Sequence, residues 1–585
     1  MSPFRILVLS SVRPSRAWRM ANRITREVPG AEICGIVQRP VQQLPLAQQL
    51  IINGGTHPAF FSPRMLSNAK VWFHSVVERL VHWALWWIHG CPPHRNGLKK
   101  FTIETLAEEC ARAGWPFLQA ADVNDADVLE FARQQSVDLG IVLGELPLGP
   151  ELLLIPRRGA IQAPQGEVVE AEGLHIRVEH LARDAETPFA IASLTIPPQF
   201  YDGLLALTLK ADLITDDLLV QTAKSLRVGD TTQASKEIAD WMHKILSPYL
   251  TQFEPASVNR VQRELIRRRC RPAWKLFIET LLLCSPLVVA RNWHRRWRGR
   301  YPVLILTHHL VTDRIHRMGI STEIFWHQVR FLQRHYRIIG LSEGIELLRS
   351  GEVKVPCVAL TFDDGYGDNF VSLRAVAEET AIPVALFLPT QPIENHQEFQ
   401  HDLVKGISGF FPLTWDQVRY WNLRGGEFGS HTHTHFDCGY ADRKRLEAEI
   451  IGSKNILESH LTKPVRFFAF PFGGQRNISS KAMQLAAFTY PHVLSDFGGE
   501  NLPDIGRSKG HLFRKNFYSN LWELELELQS VFDLVAARQK FSLGRANSSS
   551  SPNRLIGASA FNTRRNASSS SSRIDASRHH GSPVQ

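Results

Sequence analysis

Short apolar runs alternate with longer amphipathic stretches along most of the chain. In the first 255 residues, segments with helical spacing of apolar positions separate the runs RILVLS, EICGIVQ, LGIVLG and GAIQAP. Buried strands of a parallel sheet are continuous apolar runs, and the helices between them repeat every 3.6 residues. The pattern therefore predicts an open α/β sheet for residues 1–255.

A second α/β series begins near residue 301. Its apolar runs end in polar residues, as in YPVLILTHHLV, VPCVALTFDDGYGD, GEFGSHTHTHFD and VRFFAFPFGG. Polar residues at the carboxyl ends of successive strands are typical of the catalytic face of a β/α barrel. We therefore predict a barrel domain at residues 301–540. The serine-rich residues 541–585, with NSSSSPNR and NASSSSSR, predict a disordered tail.

The composition is that of a globular protein. The chain has 585 residues, of which 44% are hydrophobic and 21% charged, and its length suits two to four domains. Its seven cysteines are scattered and never form a C-x-x-C pair, so we expect reduced thiols in a cytoplasmic protein. The first residues lack the order of a secretory signal, and no stretch reaches the ~20 apolar residues of a membrane-spanning helix.

The positive charge is concentrated in one segment. The chain carries a net charge of +10, and residues 258–300 alone hold eleven arginines and one lysine against two glutamates. This basic connector, residues 256–300, includes the apolar stretch LFIETLLLCSPLVVA. A second apolar stretch, VWFHSVVERLVHWALWWIHG at 71–90, belongs to a predicted helical insertion near residues 66–90.

Three interpretations of these two stretches stay open. Apolar side chains flanked by arginines are typical of a helix that lies on an anionic membrane surface, on the inner face of the membrane for a cytoplasmic chain. A buried pair of helices between domains, beside a solvated basic linker, would give the same pattern. Nucleic acid is the third option, but no binding motif accompanies the charge, so we expect no nucleic-acid partner.

The second series contains residues suited to metal chemistry. Asp363 and Asp364 end one strand, and His431, His433 and His435 occupy alternate positions after another. A strand would place all three imidazoles on one face, whereas a helical turn would pair only the first and the third. Two histidines and one carboxylate with open coordination positions suit a catalytic zinc ion, and a second, free carboxylate suits a general base. The same ligand set also suits iron for oxygen chemistry.

These motifs resemble those of the polysaccharide deacetylases. That family has Thr-Phe-Asp-Asp-Gly, present here at 361–365, and His-Thr-x-x-His, present at 431–435. The resemblance covers residues 301 to about 535. It implies that Asp363 is the general base and that Asp364, His431 and His435 bind a divalent metal ion, usually zinc. It leaves His433 as a bystander.

Two departures from the family pattern concern the catalytic machinery. Many members have an arginine that orients the base in Arg-x-Pro-aromatic, and Ala469 takes its place here before Pro471. A subgroup that acts on bacterial exopolysaccharides shares the FAFPFG pattern. The usual late Leu-x-His, which supplies a general acid, has no clear counterpart. His511 and His308 are therefore the candidate acids.

The first domain resembles the formyltransferases that use 10-formyltetrahydrofolate. The similarity is carried by the segment DVNDADVLEFARQQSVDLGIVLGELPLGPELLLIPRRGAIQAP and its continuation to residue 195, and it implies a Rossmann-like open sheet. The catalytic Asn-x-His of that family falls on Gln162 and Pro164, and its later aspartate falls on Glu186. Because proline cannot replace an imidazole in acid–base work, we expect the fold to be kept and the transfer chemistry to be lost.

Together these features predict a metal-dependent deacylase fused to a degenerate formyltransferase-like domain. The expected substrate is an N-acetylated or N-formylated amino sugar of a polysaccharide or a lipid-linked saccharide. Two alternatives remain. One is an inactive sugar-binding or scaffolding protein of polysaccharide synthesis, and the other is a formyltransferase with an atypical site.

Overall fold

Two sheets, one in each half of the chain, organise the fold of this computed structural model. The structure describes residues 3–40, 83–84, 87–89, 101–164, 168–169, 173–182, 187–199, 202–250, 273–439, 442–503, 510–518 and 521–531. The predicted tail at 541–585 lies outside these residues, and only five residues of the predicted insertion lie inside them. The domain boundaries given above remain predictions.

The N-terminal sheet is open and mostly parallel. Its strands are β1 Phe4–Ser10, β2 Ala31–Gln38, β3 Phe117–Gln119, β4 Leu139–Leu143, β5 Ala160–Ala163, β6 Val168–Val169, β7 Gly173–Leu181 and β8 Phe189–Ile196. The strand order is β3-β2-β1-β4-β5-β7-β6, with β8 beside β7. Strands β1 to β5 are parallel, and β6 to β8 pair antiparallel. This order confirms the expected Rossmann-like α/β sheet.

Helices cover this sheet because its strands are apolar on both faces. Every residue of β1 except Arg5 is buried, as expected for a strand between two helical layers. The helices are α1 Pro14–Glu27, α2 Ile103–Ala113, α3 Ala126–Gln134, α4 Pro150–Leu153, α5 Leu204–Val228, α6 Thr231–Ile245 and α7 Ser247–Leu250. Helix α2 is capped at both ends. The Thr102 side chain caps its first turn, and Gly114 ends the helix in the left-handed conformation.

The C-terminal half alternates parallel strands and helices. Its strands are β9 Val303–His308, β10 Leu310–Val311, β11 Gly319–Ile320, β12 Arg337–Ile338, β13 Cys357–Phe362, β14 Ala385–Leu388, β15 Glu427–Ser430, β16 Phe467–Ala469, β17 His492–Ser495, β18 His511–Phe513 and β19 Lys515–Asn516. Its helices are α8 Ala273–Leu283, α9 Pro286–Arg298, α10 Thr322–His335, α11 Leu341–Ser350, α12 Ser372–Thr380, α13 Thr390–Asn395, α14 Gln400–Leu403, α15 Trp415–Asn422, α16 Arg443–Glu447, α17 Ser453–Leu461, α18 Ser480–Thr489 and α19 Leu521–Leu528.

The strands of this half close into a barrel. The order β18-β17-β16-β15-β14-β13-β9-β19 runs through the sheet, and β18 and β19 are separated only by Arg514. Because β18 pairs with β17 and β19 pairs with β9, the chain at 511–516 joins the two edges. The pairs along this path are all parallel. The expected distorted β/α barrel is confirmed, with Arg514 between the two short strands that join its edges.

Buried ion pairs join the two halves of the chain. Asp217 of α5 accepts hydrogen bonds from Arg23 Nη2 at 2.7 Å and from Arg374 of α12. The Lys210 ammonium of the same helix lies 2.7 Å from Asp313 of the C-terminal half. The side chains of Asp217, Arg374, Lys210 and Asp313 are fully buried. Breaking such a pair leaves an uncompensated buried charge, so we expect the two halves to depend on each other for stability.

Helices α8 and α9 occupy the predicted connector. Leu283 and Val288 pack against Leu526 of α19 and Val531, but the opposite side of α8 is exposed, and Trp274 keeps 63% of its surface accessible. In the described residues one side of these two helices is covered and the other is exposed. Most of the stretch at 71–90 lies outside the described residues, so the buried-pair interpretation stays a prediction. Within the described part of the chain, no helix combines the length and apolar character needed to cross a membrane.

Candidate active site

The candidate site lies where the barrel strands end. Asp363 and Asp364 follow β13, His431 follows β15, Asp496 follows β17 and Arg514 follows β18. Because the strands are parallel, their carboxyl ends meet at one face of the barrel. Residues that lie as far apart as 363 and 514 in the sequence therefore converge.

A tight turn presents the two aspartates. Asp364 and Gly365 adopt positive φ angles of 67° and 68°. A Cβ atom at position 365 would lie 2.4 Å from Leu388 Cδ2, so a larger residue would require Leu388 to move, and the positive φ angle itself favours glycine. The turn places both carboxylates in the protein interior, with 2% or less of each residue accessible.

Asp364, His431 and His435 form one cluster. Their potential ligand atoms all lie within 4.8 Å of one another, and Asp364 Oδ1 is 3.1 Å from His435 Nε2 and 3.6 Å from His431 Nε2. This oxygen is buried and has no hydrogen-bond partner. Burial would raise the pKa of Asp364, but the imidazoles of His435 and His401 hold it well below its usual range. A buried, ionised and unsatisfied oxygen between two imidazole nitrogens fits a divalent cation.

The backbone fixes the orientation of His431. Its Nδ1 lies 2.9 Å from the carbonyl oxygen of Ala469, so Nδ1 carries the proton and Nε2 presents its lone pair to Asp364. Burial lowers the pKa of His431 to about 4, which keeps the ring neutral. A neutral imidazole whose second nitrogen is hydrogen-bonded is the usual form of a metal-ligating histidine.

A carboxylate holds the loop that carries the histidines. Glu449 Oε2 accepts the backbone N–H groups of His433 and Thr434 at 2.9 and 2.8 Å. Thr432 and His435 both adopt positive φ angles, which bend the loop so that His431 and His435 point to the same place. His433 points elsewhere, with its Nδ1 2.7 Å from the hydroxyl of Thr390.

Asp363 is held by Arg514. The guanidinium donates two parallel hydrogen bonds of 2.7 and 2.8 Å to the carboxylate of Asp363, while its Nε donates to Asp496 at 2.8 Å. Burial would raise the pKa of Asp363, but Arg514 keeps it below the usual value. The forked geometry fixes both the charge and the orientation of the carboxylate.

Arg514 makes the contact with Asp363 that the family resemblance led us to expect from an arginine at position 469. Ala469 cannot orient a base with its methyl group, and it contributes its carbonyl oxygen to His431 instead. The sequence analysis did not select Arg514; the signal that could have found it is its place in HLFRKNF, three residues after the candidate His511. Arg514 reaches Asp363 because it lies at the junction of β18 and β19. A local sequence pattern does not reveal this junction.

The candidate acids occupy different places around the site. His308 Nδ1 accepts a hydrogen bond of 3.2 Å from the backbone of Leu310, and the His308 ring packs edge-on against Phe517. His511 Nε2 lies 2.8 Å from the Ser495 hydroxyl. His309, which the sequence analysis did not select, is half-buried and helps to lower the pKa of both Asp363 and Asp364.

A third histidine, His401, borders the cluster. His401 Nε2 lies 3.7 Å from Asp364 Oδ2 and 2.9 Å from the Tyr366 hydroxyl. That hydroxyl also donates to Asp402 at 2.5 Å, and Asp402 lies 3.1 Å from His316 Nε2. Burial lowers the pKa of His401 to about 4. No sequence motif pointed to His401, because the helix that carries it lies between the two family motifs.

The N-terminal sheet carries the residues that replace the formyltransferase motif. Gln162 donates from Nε2 to Glu179 at 3.0 Å, and Arg177 forms an ion pair with the same glutamate. Glu186 lies outside the described residues.

Known proteins are similar to parts of this chain. Residues 350–491 match the family model "Polysaccharide deacetylase". Over 132 aligned residues the chain is 22% identical to YxkH of Bacillus subtilis, which is named as a polysaccharide deacetylase. The alignment covers 23% of this chain and 42% of that protein. The chain thus spans less than half the length of this relative.

Two solved structures show more distant similarity. The deacetylase PplD of Streptococcus pyogenes, in complex with acetate, shares 20% identity over 39% of this chain and 99% of its own, with a TM-score of 0.34. The phosphoribosylglycinamide formyltransferase of Bacillus halodurans shares 11% identity over 38% of this chain and 94% of its own, with a TM-score of 0.24. By its family match, this chain contains a polysaccharide deacetylase domain at residues 350–491, the segment that carries Asp363, Asp364, His431 and His435.

Proposed function

We propose that the protein is a metal-dependent hydrolase that removes the N-acetyl or N-formyl group from an amino sugar. The family match supports carbohydrate deacetylation. One observation carries the finer proposal, namely that the buried and unsatisfied Asp364 Oδ1 faces two imidazole nitrogens beside a second carboxylate held by an arginine. The expected metal is zinc, because two histidines and one carboxylate form a common catalytic zinc site.

Asp364, His431 and His435 would hold the ion. When bound, it would lower the pKa of water towards ~7 and polarise the amide carbonyl of the substrate. The hydrogen bond from His431 Nδ1 to Ala469 and the loop contacts of Glu449 hold the two imidazoles in place for this purpose. Such supporting contacts commonly set metal affinity.

Asp363 acts as the general base in this proposal. Arg514 keeps its carboxylate ionised and aimed into the site, so that it accepts a proton from water as the water oxygen bonds to the acyl carbon. The C–N bond then breaks, the acyl group leaves as acetate or formate, and the amine takes up a proton. A positioned acid–base group contributes roughly 10²–10⁴-fold to such a rate.

A histidine supplies the proton to the leaving amine. We favour His309 because it directly follows His308 after the end of β9 and is only half-buried, so that its ring stays accessible to a substrate. His308 and His511, the candidates from the sequence, are both buried. Replacing each histidine singly with glutamine identifies the donor as the one whose loss removes the basic limb of the pH profile.

The substrate is proposed to be a polysaccharide or a lipid-linked saccharide. Phe472 is 53% exposed, and its ring lies edge-on to His435 at 4.9 Å between centroids. An exposed aromatic ring beside the reacting group offers an apolar face to a sugar ring. For the N-terminal domain we propose a binding or scaffolding role without formyl transfer, because Gln162 and Pro164 supply no imidazole.

Acetate and formate release tests the proposal directly. The purified zinc-loaded protein is incubated with N-acetylated and N-formylated glucosamine oligosaccharides, and the released acid is measured. Asp363→Asn should keep its zinc and lose at least roughly 100-fold in rate, whereas Asp416→Asn on the exposed side of α15 should behave like the wild type. Release that is equal in Asp363→Asn and wild type would exclude Asp363 as the base. If the metal-loaded wild type releases no acid, the result would favour the alternative of an inactive sugar-binding protein. Binding of a folate analogue would support the alternative of a formyltransferase with an atypical site.

A further inference from the structure

Three short segments expose an unusual amount of apolar surface. On α8, Trp274, Phe277, Ile278 and Leu281 are exposed, at the i, i+3, i+4 and i+7 spacing of a single helical face. On soluble proteins an apolar stripe of this kind normally faces the core, and single exposed apolar residues are scattered. The apolar stripe on α8 instead faces away from the core and is exposed.

The neighbouring helix extends this surface. Leu287, Trp293 and Trp297 of α9 are exposed, with 84% of Leu287 and 78% of Trp297 accessible. Trp293 and Trp297, which are four residues apart, lie on the same face of the helix. The five exposed tryptophans of the described chain all lie in α8, α9 or residues 83–87.

Ile88 and His89 lie against α9. The indole N–H of Trp293 reaches the carbonyl oxygen of Ile88 at 3.4 Å, and Asn292 Nδ2 lies 3.2 Å from His89 Nδ1. The exposed side chains of Trp83 and Trp87 contact each other, with ring centroids 6.2 Å apart. The described residues of the two apolar stretches therefore meet, and we call the surface formed by Trp83, Trp87, Ile88 and the exposed apolar residues of α8 and α9 the aromatic platform.

The exposed charges on α8 and α9 have one sign. Residues 273–300 contain five arginines and one lysine, and their single acidic residue, Glu279, is buried. Arg295 is paired with Glu500, but the exposed Arg296 and Arg298 lie over the rings of Trp293 and Trp297. A second copy of this platform would bring like charges together, whereas anionic lipid headgroups would neutralise them.

The platform is fixed to the deacetylase domain. Trp522 Nε1 of α19 donates to Thr280 Oγ1 at 3.1 Å, and Arg291 donates to the carbonyl oxygen of Gln529. Glu500, the partner of Arg295, follows Asp496 by only four residues, and Asp496 holds Arg514. A surface bound to the platform would therefore stand in a fixed relation to the barrel.

We propose that the aromatic platform docks the protein on an anionic lipid surface, with the tryptophans and leucines in the headgroup region and Arg296 and Arg298 on lipid phosphates. Helices of 11 and 13 residues are too short to span a bilayer, but they suit binding in the plane of the interface.

Sedimentation with lipid vesicles tests this proposal on the full chain. The wild type should sediment at low salt with vesicles of phosphatidylglycerol and phosphatidylcholine, and should stay in solution with phosphatidylcholine alone. The combined change Arg296→Gln and Arg298→Gln should weaken binding roughly 30-fold, and Trp274→Ser with Phe277→Ser should abolish it. Phe488→Ser and Arg443→Gln, exposed positions elsewhere, serve as matched controls and should bind like the wild type.

Three results would overturn the proposal. They are failure of the wild type to sediment, equal sedimentation with both vesicle types, and self-association in the absence of lipid that the Trp274→Ser and Phe277→Ser changes abolish. Asp363→Asn should bind vesicles like the wild type. Lipid binding and the proposed hydrolysis are thereby tested independently of each other.

Discussion

Replacing Arg514 with methionine should damage both stability and catalysis. The guanidinium is fully buried and holds two carboxylates, with bonds of 2.7 and 2.8 Å to Asp363 and of 2.8 Å to Asp496. Methionine would leave Asp363 charged and unpaired in the interior. Removing one partner of a buried ion pair costs about 3–5 kcal/mol, so we expect the free energy of unfolding to fall by that amount.

The pH dependence of the reaction should shift in a defined direction. In the wild type, Arg514 overcomes the effect of burial and keeps the pKa of Asp363 below its usual value. Without Arg514, burial dominates and raises this pKa, so that the base is protonated over more of the acidic range. The acidic limb of kcat/KM should therefore move to higher pH. Loss of the forked geometry should lower kcat roughly 100-fold even where Asp363 is ionised.

Denaturation with urea and the pH profile of kcat/KM measure the two effects. Arg514→Lys keeps the charge but not the fork, so it should retain more stability than methionine and still lose activity. Arg419→Met, which breaks an exposed pair with Asp416, should change neither quantity. If Arg514→Met is too unstable to assay, Asp496→Asn loosens the same arginine with less disruption. An acidic limb that stays in place in both Arg514→Met and Asp496→Asn would refute the role given to Arg514.

Three further predictions concern other parts of the structure. Asp217→Asn should lower the free energy of unfolding by about 3 kcal/mol in urea denaturation. Because ion pairs lower the pKa of Asp217 to about 2, the stabilisation by its carboxylate should be present above pH ~4 and lost as the pH falls towards 2. An unchanged stability of the variant would argue against coupling of the two halves. His401→Gln should weaken zinc binding roughly tenfold in chelator competition, because His401 lies 3.7 Å from Asp364; an unchanged affinity would remove it from the support of the metal. Phe472→Ala should raise KM and leave kcat unchanged, and a fall in kcat alone would contradict a role in substrate binding.

Features that depend on neighbouring residues in the sequence were predictable. The apolar runs predicted both sheets, and the polar residues after β13 and β15 predicted the converging aspartates and histidines, because strand ends are marked locally. The i, i+4 pair His431 and His435 was likewise given by the family motif and is brought together by the bent loop.

Features that depend on barrel closure were not predictable from local patterns. Arg514 meets Asp363 across 151 positions of sequence, and only the junction of β18 and β19 brings them together. The hydrogen-bond acceptor for His431 Nδ1 is the backbone carbonyl of Ala469, so the type of side chain at position 469 does not indicate this contact. The amphipathic pattern of α8 could not show which side faces solvent, because a buried stripe and an exposed one have the same period.

Metal content of the purified protein tests the account most directly. Elemental mass spectrometry should find about one zinc ion per chain in the wild type and in His433→Ala, whose ring bonds to Thr390 outside the cluster. His435→Ala and Asp364→Ala should both lose it. A folded wild type that binds no zinc, even after zinc is added, or a His435→Ala variant that keeps its metal, would contradict the proposed centre.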